Sequence, residues 1–404
     1  MSEKVKKFIE SHWDECIKEN RQDEDTLIGL PYPYVVPAVG HFDEMYYWDT
    51  YFTNKGLELC GRMQQVKNNT DDMLYLVKKY GFMPNGNRIY YLRQSQPPFL
   101  SGMVRDVYDY YKDTVWLSAA YDVLKIEYNF WMSKRSTPIG LNCYGCICDG
   151  RVEGLSKCFE KRAGYMPEGD KYLIALHCGI TCESGWDINP RWGIEGYNYA
   201  PVDLNSLMYM LEDNMAYFSG ELGRGEEALW KERAAVRRER MIRYMEDENG
   251  LLMDYNFETG RRSEIFSVAS LYPLYVGLAE TRHAKAAAEN LYRLEADYGV
   301  FTCEKNDTKG TFQWDYPNGW ACLQYIAIIG FDKYMYSDIA QRLAKKYLTL
   351  VEKVFDETGN LWEKYNVEDG SLNVSKEYEM PAMMGWSAGV YLAAENYLIN
   401  KAQK

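Results

Sequence analysis

Residues 333–355 read KYMYSDIAQRLAKKYLTLVEKVF. Met335, Ile339, Leu343 and Tyr347 recur every four positions, with Ala340, Ala344, Leu348 and Val351 beside them. A broad apolar stripe of this kind predicts a helix that buries one face against a core. The same period recurs outward from this stretch. In 3–20 it places Val5, Phe8, Ile9, Trp13, Cys16 and Ile17 on one face. In 224–246 it gathers Trp230, Ala234, Met241 and Met245, and the other face carries Arg233, Arg237, Arg238 and Arg240, read as a solvated surface. Helical patterns also cover 44–63, 67–80, 100–114, 116–132, 204–222, 264–278, 281–296, 318–330 and 384–400. Alternating patterns are short; 86–92 and 250–254 read as connecting hairpin pieces. About twelve helices, one per roughly 34 residues, make an all-α chain of helix-plus-loop units. A solenoid closed on itself, an α/α toroid, fits this pattern; so does an open superhelix. No Pro/Ser-rich linker divides the chain, so 1–404 reads as a single domain.

The composition narrows the function. The 404 residues include 36 Tyr, 11 Trp and 14 Phe, with a formal charge of -13. Phosphate neutralisation needs an excess of Lys and Arg, so no nucleic acid is expected as partner. The N-terminus lacks the apolar run of a secretion signal, and no apolar stretch is long enough to span a bilayer. The expectation is a cytoplasmic protein with no membrane partner and with its ten Cys reduced. Cys143, Cys146 and Cys148 form a Cys-x-x-Cys-x-Cys group, but a second pair at zinc-like spacing is missing. These three read as free thiols, with no metal.

Irregular segments are expected at 24–43, 83–99, 134–203, 299–317 and 356–383. Long loops on a rigid scaffold are where chemistry concentrates. Four of them share one character, aromatic rings beside carboxylates and amides: Phe42 to Phe52, Pro84 to Pro98, Glu183 to Trp192, and Gln313 to Trp320. A sugar has apolar C–H faces and hydroxyl edges, and this mixture satisfies both, so a small carbohydrate is the expected partner. There is no Gly-x-Ser-x-Gly elbow, phosphate-binding Gly-rich loop or dinucleotide fingerprint.

These segments resemble the trehalase family, glycoside hydrolase family 37. Val36-Pro37-Ala38-Val39-Gly40-His41-Phe42 through Tyr47-Trp48-Asp49 is similar to the first family signature, and Gln313-Trp314-Asp315-Tyr316-Pro317-Asn318-Gly319-Trp320-Ala321 to the second. Pro84-Asn85-Gly86-Asn87-Arg88, Ser95-Gln96-Pro97-Pro98, Glu183-Ser184-Gly185-Trp186-Asp187, Pro201-Val202-Asp203-Leu204-Asn205 and Glu363-Lys364-Tyr365 continue the likeness in family order from about 30 to 395. The resemblance implies an (α/α)6 toroid, a six-hairpin barrel with long active-site loops at one end. It also implies an inverting α-glycosidase that needs no cofactor and acts on trehalose or a related small α-linked glucoside. By position, Asp187 is the general acid and Glu363 the general base. Phe42, Tyr47, Trp48, Asp49, Asn85, Gln96, Trp314 and Glu377 are the sugar contacts. Asp315 and Asn318 are expected to brace their loop and cap the following helix. Inversion needs one carboxylic acid for the leaving oxygen and one carboxylate for water, roughly 6.5–9.5 Å apart.

The departures bear on substrate choice. His41 stands where the family has Arg; Gln94 replaces the Arg of Arg-Ser-Gln-Pro-Pro, with Arg93 beside it; and Met166-Pro167-Glu168 replaces Arg-Pro-Glu. Asn373-Val374-Ser375-Lys376 stands in place of the glycine-rich lid. Each charged hydrogen bond lost with a guanidinium weakens binding by about 1.5–3 kcal/mol. The expectation is retained chemistry with altered specificity. The alternative is a catalytically impaired sugar-binding or regulatory protein on the same fold.

Overall fold

The computed structural model describes residues 2–375, 378–382 and 385–403. Fourteen α-helices are present among the described residues: α1 (Glu3–His12), α2 (Tyr47–Leu59), α3 (Met63–Tyr80), α4 (Leu100–Tyr111), α5 (Thr114–Lys134), α6 (Val152–Ala163), α7 (Lys171–Glu183), α8 (Val202–Leu222), α9 (Glu227–Met245), α10 (Tyr272–Val276), α11 (Thr281–Asn290), α12 (Ala321–Lys333), α13 (Ser337–Thr358) and α14 (Gly385–Ala402).

Six of them form an inner ring. α2 packs on α4, α4 on α8, α8 on α10, α10 on α12, α12 on α14, and α14 returns to α2. Helices α3, α5, α9 and α13 lie against these from outside. The sequence explains the sorting. α12 (ACLQYIAIIGFDK) is buried on nearly every side, as an interior helix must be. α13 buries one stripe, Ile339, Ala340, Leu343, Ala344, Tyr347, Leu348 and Val351, and keeps its charges outward. The ring closes where α2 meets α14 at two glycines. A Cβ on Gly389 would lie 2.1 Å from the Phe52 carbonyl oxygen, and one on Gly56 would lie 2.6 Å from the Gly389 Cα. The architecture is a closed (α/α)6 toroid and not an open superhelix.

Several expectations need correction. Two helices, α6 and α7, occupy the stretch 134–203 read as irregular; they share a small apolar core of their own with Ile188 and Phe312. The first helix ends at His12, and Ile17–Lys18 pairs instead as a strand with Tyr34–Val35. The segment 264–278 yields a 3-10 helix, Val268–Leu271, running into the short α10, with Pro273 in its first turn and Gly277, at φ +82°, ending it. Residues 86–92 hold a 3-10 turn, Ile89–Tyr91, and no strand. Met335 is not part of the α13 stripe; it sits exposed in the turn before α13. Arg237 is not on a solvated face: it is buried, with its guanidinium on Glu212 at 2.8–2.9 Å and on Asn142 and Asn205.

The strands are two- and three-residue pieces in the connections. One matters for the site. Asn318–Trp320 pairs antiparallel with Lys364–Asn366, with Trp320 opposite Lys364. Among the described residues no helix is long and apolar enough to cross a membrane.

Candidate active site

A cavity of about 200 Å³ opens at the N-terminal ends of inner helices. Trp48 and Asp49 come from the first turn of α2, Trp386 from the first turn of α14, and Trp320 immediately precedes α12. Helix N-termini favour negative charge, which suits a site built on carboxylates. Three carboxylates line it: Asp49, Asp187 and Glu363.

The Asp187 loop is held from beneath. Arg191 is fully buried and bonds Asp203 (2.9 and 3.2 Å) and Asp254 (2.8 and 2.9 Å), stacking its guanidinium on Trp186 and Trp192. Glu183, at the end of α7, accepts from the backbone N–H groups of Ser95 and Gly145 and from Arg135. One buried carboxylate thereby ties three loops together. Gly185 is at φ +74°, and a Cβ there would lie 2.7 Å from the Trp48 indole. Ile188 is also left-handed, at φ +49°. A β-branched residue in that region costs roughly 1–3 kcal/mol, a strain that the buried surroundings of the loop sustain beside Asp187.

The walls are aromatic. Trp314 stacks on Trp320 with centroids 3.7 Å apart, and meets Trp186 at 5.7 Å and Trp48 at 5.5 Å. Gln96 accepts from the Trp48 backbone N–H at 3.2 Å, so it caps α2 with its carbonyl and leaves its amide N–H groups for the cavity.

Asp187 is under opposing influences. The Asp187 side chain keeps 31% of its surface exposed toward the cavity. Burial by the surrounding protein pushes its carboxyl above the ordinary range; the Arg162 guanidinium, 2.8 Å away, pulls it down, and the negative charge of Glu363 adds to the rise. Asp49 is pushed up to about 8, chiefly by burial, with its backbone N–H opposing and Glu363 and Asp187 contributing. Burial thus favours its neutral form, which can donate a hydrogen bond. Glu363 accepts from Lys364 Nζ on one oxygen and from the Tyr378 hydroxyl on the other, while Trp386 Nε1 donates to its backbone carbonyl at 3.0 Å.

Of the residues named from the sequence, Asp187, Glu363, Phe42, Trp48, Asp49, Asn85, Gln96 and Trp314 line this one cavity. Tyr47 does not. It is wholly buried, donating to Glu127 and accepting from the Leu100 backbone N–H at 3.0 Å; its neighbour Tyr46 takes the place at the cavity wall. Glu377 lies outside the described residues. Asp315 braces its loop through Asn306 and the Tyr316 N–H. Asn318 caps no helix; it lies in a strand and ties Gln313 to Ser375. Sequence reasoning also missed Arg162, Gln313, Tyr91 and Cys182 in the wall. Arg162 is the important one. The cleft is not stripped of guanidiniums, because α6 delivers one from four residues before Met166. Arg93, by contrast, turns away and bonds the Asp149 carbonyl at 2.6 Å.

Among the described residues no group of three or more His, Cys, Asp or Glu is arranged to hold a metal ion. Cys143, Cys146 and Cys148 are free thiols, and Cys146 is wedged against Gly179 of α7.

The fold has counterparts among solved structures. The neutral trehalase Nth1 from Saccharomyces cerevisiae superposes with a TM-score of 0.78 at 28% identity, over 98% of this chain and 80% of that one. The GH63 mannosylglycerate hydrolase from Thermus thermophilus, described in complex with Tris and D-glycerate, gives a TM-score of 0.62 at 16% identity, over 89% and 95%. The second likeness concerns the fold alone. The trehalase family profile matches residues 1–398, nearly the whole chain. With the toroid, the ring-lined cavity and that match together, the chain belongs to the trehalase family and is a glycoside hydrolase.

Proposed function

We propose that residues 1–404 act as one catalytic unit, an inverting α-glycosidase that hydrolyses trehalose or a related small α-linked glucoside without a cofactor. The observation that carries this reading is the pairing of Asp187 and Glu363 in one cavity under opposite influences. Burial favours the neutral, proton-bearing form of Asp187, while Glu363 accepts from the Lys364 ammonium and the Tyr378 hydroxyl. Asp187 protonates the glycosidic oxygen as the bond to C1 breaks. Glu363 takes a proton from the water that attacks C1 from the opposite face. Phe42, Trp48 and Trp314 hold the apolar face of the glucosyl ring; neutral Asp49, Asn85 and Gln96 meet its hydroxyls. Arg162 lies next to the acid, donating to Asp187 at 2.8 Å.

Ten free thiols suit a reducing compartment, which supports a cytoplasmic setting. The second reading, sugar binding without turnover, rested on missing arginines and is weakened by Arg162. Glucose release from a panel of trehalose, other α-linked diglucosides and alkyl α-glucosides separates the two. Hydrolysis of at least one supports the glycosidase; binding of several with release from none supports the alternative.

A further inference from the structure

Lys364 is a lysine with no solvent exposure. Sequence reading uses it only as the middle of Glu363-Lys364-Tyr365. A buried ammonium is costly unless paired, and here Nζ donates to Glu363 Oε2. The Trp320 and Tyr378 rings enclose it, with centroids 4.8 and 5.1 Å from Nζ. The strand pairing sets this up: Lys364 lies opposite Trp320 in the ladder, and its ammonium sits over the indole while donating to its own neighbour.

Glu363 also faces other acidic groups. Asp187 and Asp49 line the same cavity, and the Cys322 thiol of α12 feels its charge. Its own side chain is only 3% exposed. A charge so buried is costly unless it is paired and hydrogen-bonded. Tyr378 supplies a neutral hydrogen bond; Lys364 supplies the counter-charge. Each carboxylate oxygen retains a lone pair that neither donor uses, so a water in the cavity can still be bound and deprotonated.

We propose that Lys364 is a positioning residue for the base: its buried ammonium keeps Glu363 ionised and fixes which lone pairs face the cavity. The proposal rests on the glycosidase reading above. Activity on the acid side requires ionised Glu363, and activity on the basic side requires protonated Asp187. Removing the ammonium raises the pH at which Glu363 ionises, so the acid limb of kcat/KM moves up and the basic limb stays. An opposite charge at contact distance shifts a carboxylate by roughly 1–3 pH units, which sets the expected displacement.

The experiment compares pH profiles of the wild type, Lys364→Met, Lys364→Gln and Lys364→Arg on an α-glucoside that the wild type hydrolyses. The Met and Gln variants should show the displaced acid limb, and Arg should restore it whatever happens to kcat. An acid limb unmoved in both neutral variants overturns the proposal, and so does an equal displacement in Lys364→Arg. Where turnover is too slow to profile, intrinsic fluorescence replaces it. Trp320 faces the Lys364 ammonium and Trp386 donates to the Glu363 backbone carbonyl, so both rings report a change of charge at this pair without catalysis. The midpoint should rise in Met and Gln and not in Arg; an unchanged midpoint overturns the proposal. A wild type inactive on every α-glucoside would instead count against the glycosidase reading, and the fluorescence titration would still decide the role of Lys364.

Discussion

Asp187→Asn should lower kcat on trehalose or its accepted relative by about 10²–10⁴-fold, the range general acid catalysis supplies. Circular dichroism and Tm should stay close to wild type, because the amide fills the same space. The loss should depend on the leaving group. An α-glucosyl fluoride departs without protonation, so the variant should retain far more activity on it than on a sugar-linked substrate. Equal losses on both would contradict the role of proton donor. Arg162→Gln acts on the same carboxyl in the opposite sense. Arg162 holds Asp187 down against the rise from burial, so its removal pushes the carboxyl higher. The protonated form then persists to higher pH, and the basic limb of kcat/KM should move upward. KM should rise as well if the guanidinium also serves the leaving sugar.

Glu363→Gln should be the more severe lesion on activated substrates. An amide cannot take the proton of the attacking water, and no leaving group repairs that deficit. Losses of about 10²–10⁴-fold are expected on the fluoride and the disaccharide alike. The Gln carbonyl can still accept from Lys364, and its amide N–H can donate to the Tyr378 hydroxyl. Ligand affinity, measured by calorimetry with the unreacted sugar, should therefore survive within several-fold. A variant that hydrolyses the disaccharide at the wild-type rate removes Glu363 from the mechanism.

The helices that are strongly periodic could be read directly, because their burial is one-sided and regular; α13 is the clearest case. α6 could not. Its sequence VEGLSKCFEKRA buries only Ser156, Phe159 and Ala163, and it packs partly on Phe312, about 150 positions away. A stripe that sparse is indistinguishable from loop until its distant partner is known. Arg162 was invisible for the same reason, since its place beside Asp187 follows from how α6 rests on α7. The exchange of Tyr47 for Tyr46 has a local cause. α2 begins at Tyr47, and one position around a helix start turns a side chain from the cavity to the core. Trp48, Asp49, Gln96 and Trp314 were legible because an aromatic ring beside a carboxylate or amide is a poor core and a good sugar wall. The bond from Lys364 to its own neighbour was not, as adjacent strand residues ordinarily point to opposite faces.

Everything in the mechanism requires a single displacement, with water entering opposite the departing oxygen. Proton NMR of the first glucose released from an α-glucoside, recorded before mutarotation, tests that most directly. The account predicts the β-anomer as the initial product formed from the hydrolysed α-bond. Trehalose itself gives one β- and one α-glucose by inversion, so the contradicting result is initial release of α-glucose with no β-anomer; that would mean retention through a covalent intermediate, and the assignment of Glu363 as a base acting on water would be wrong.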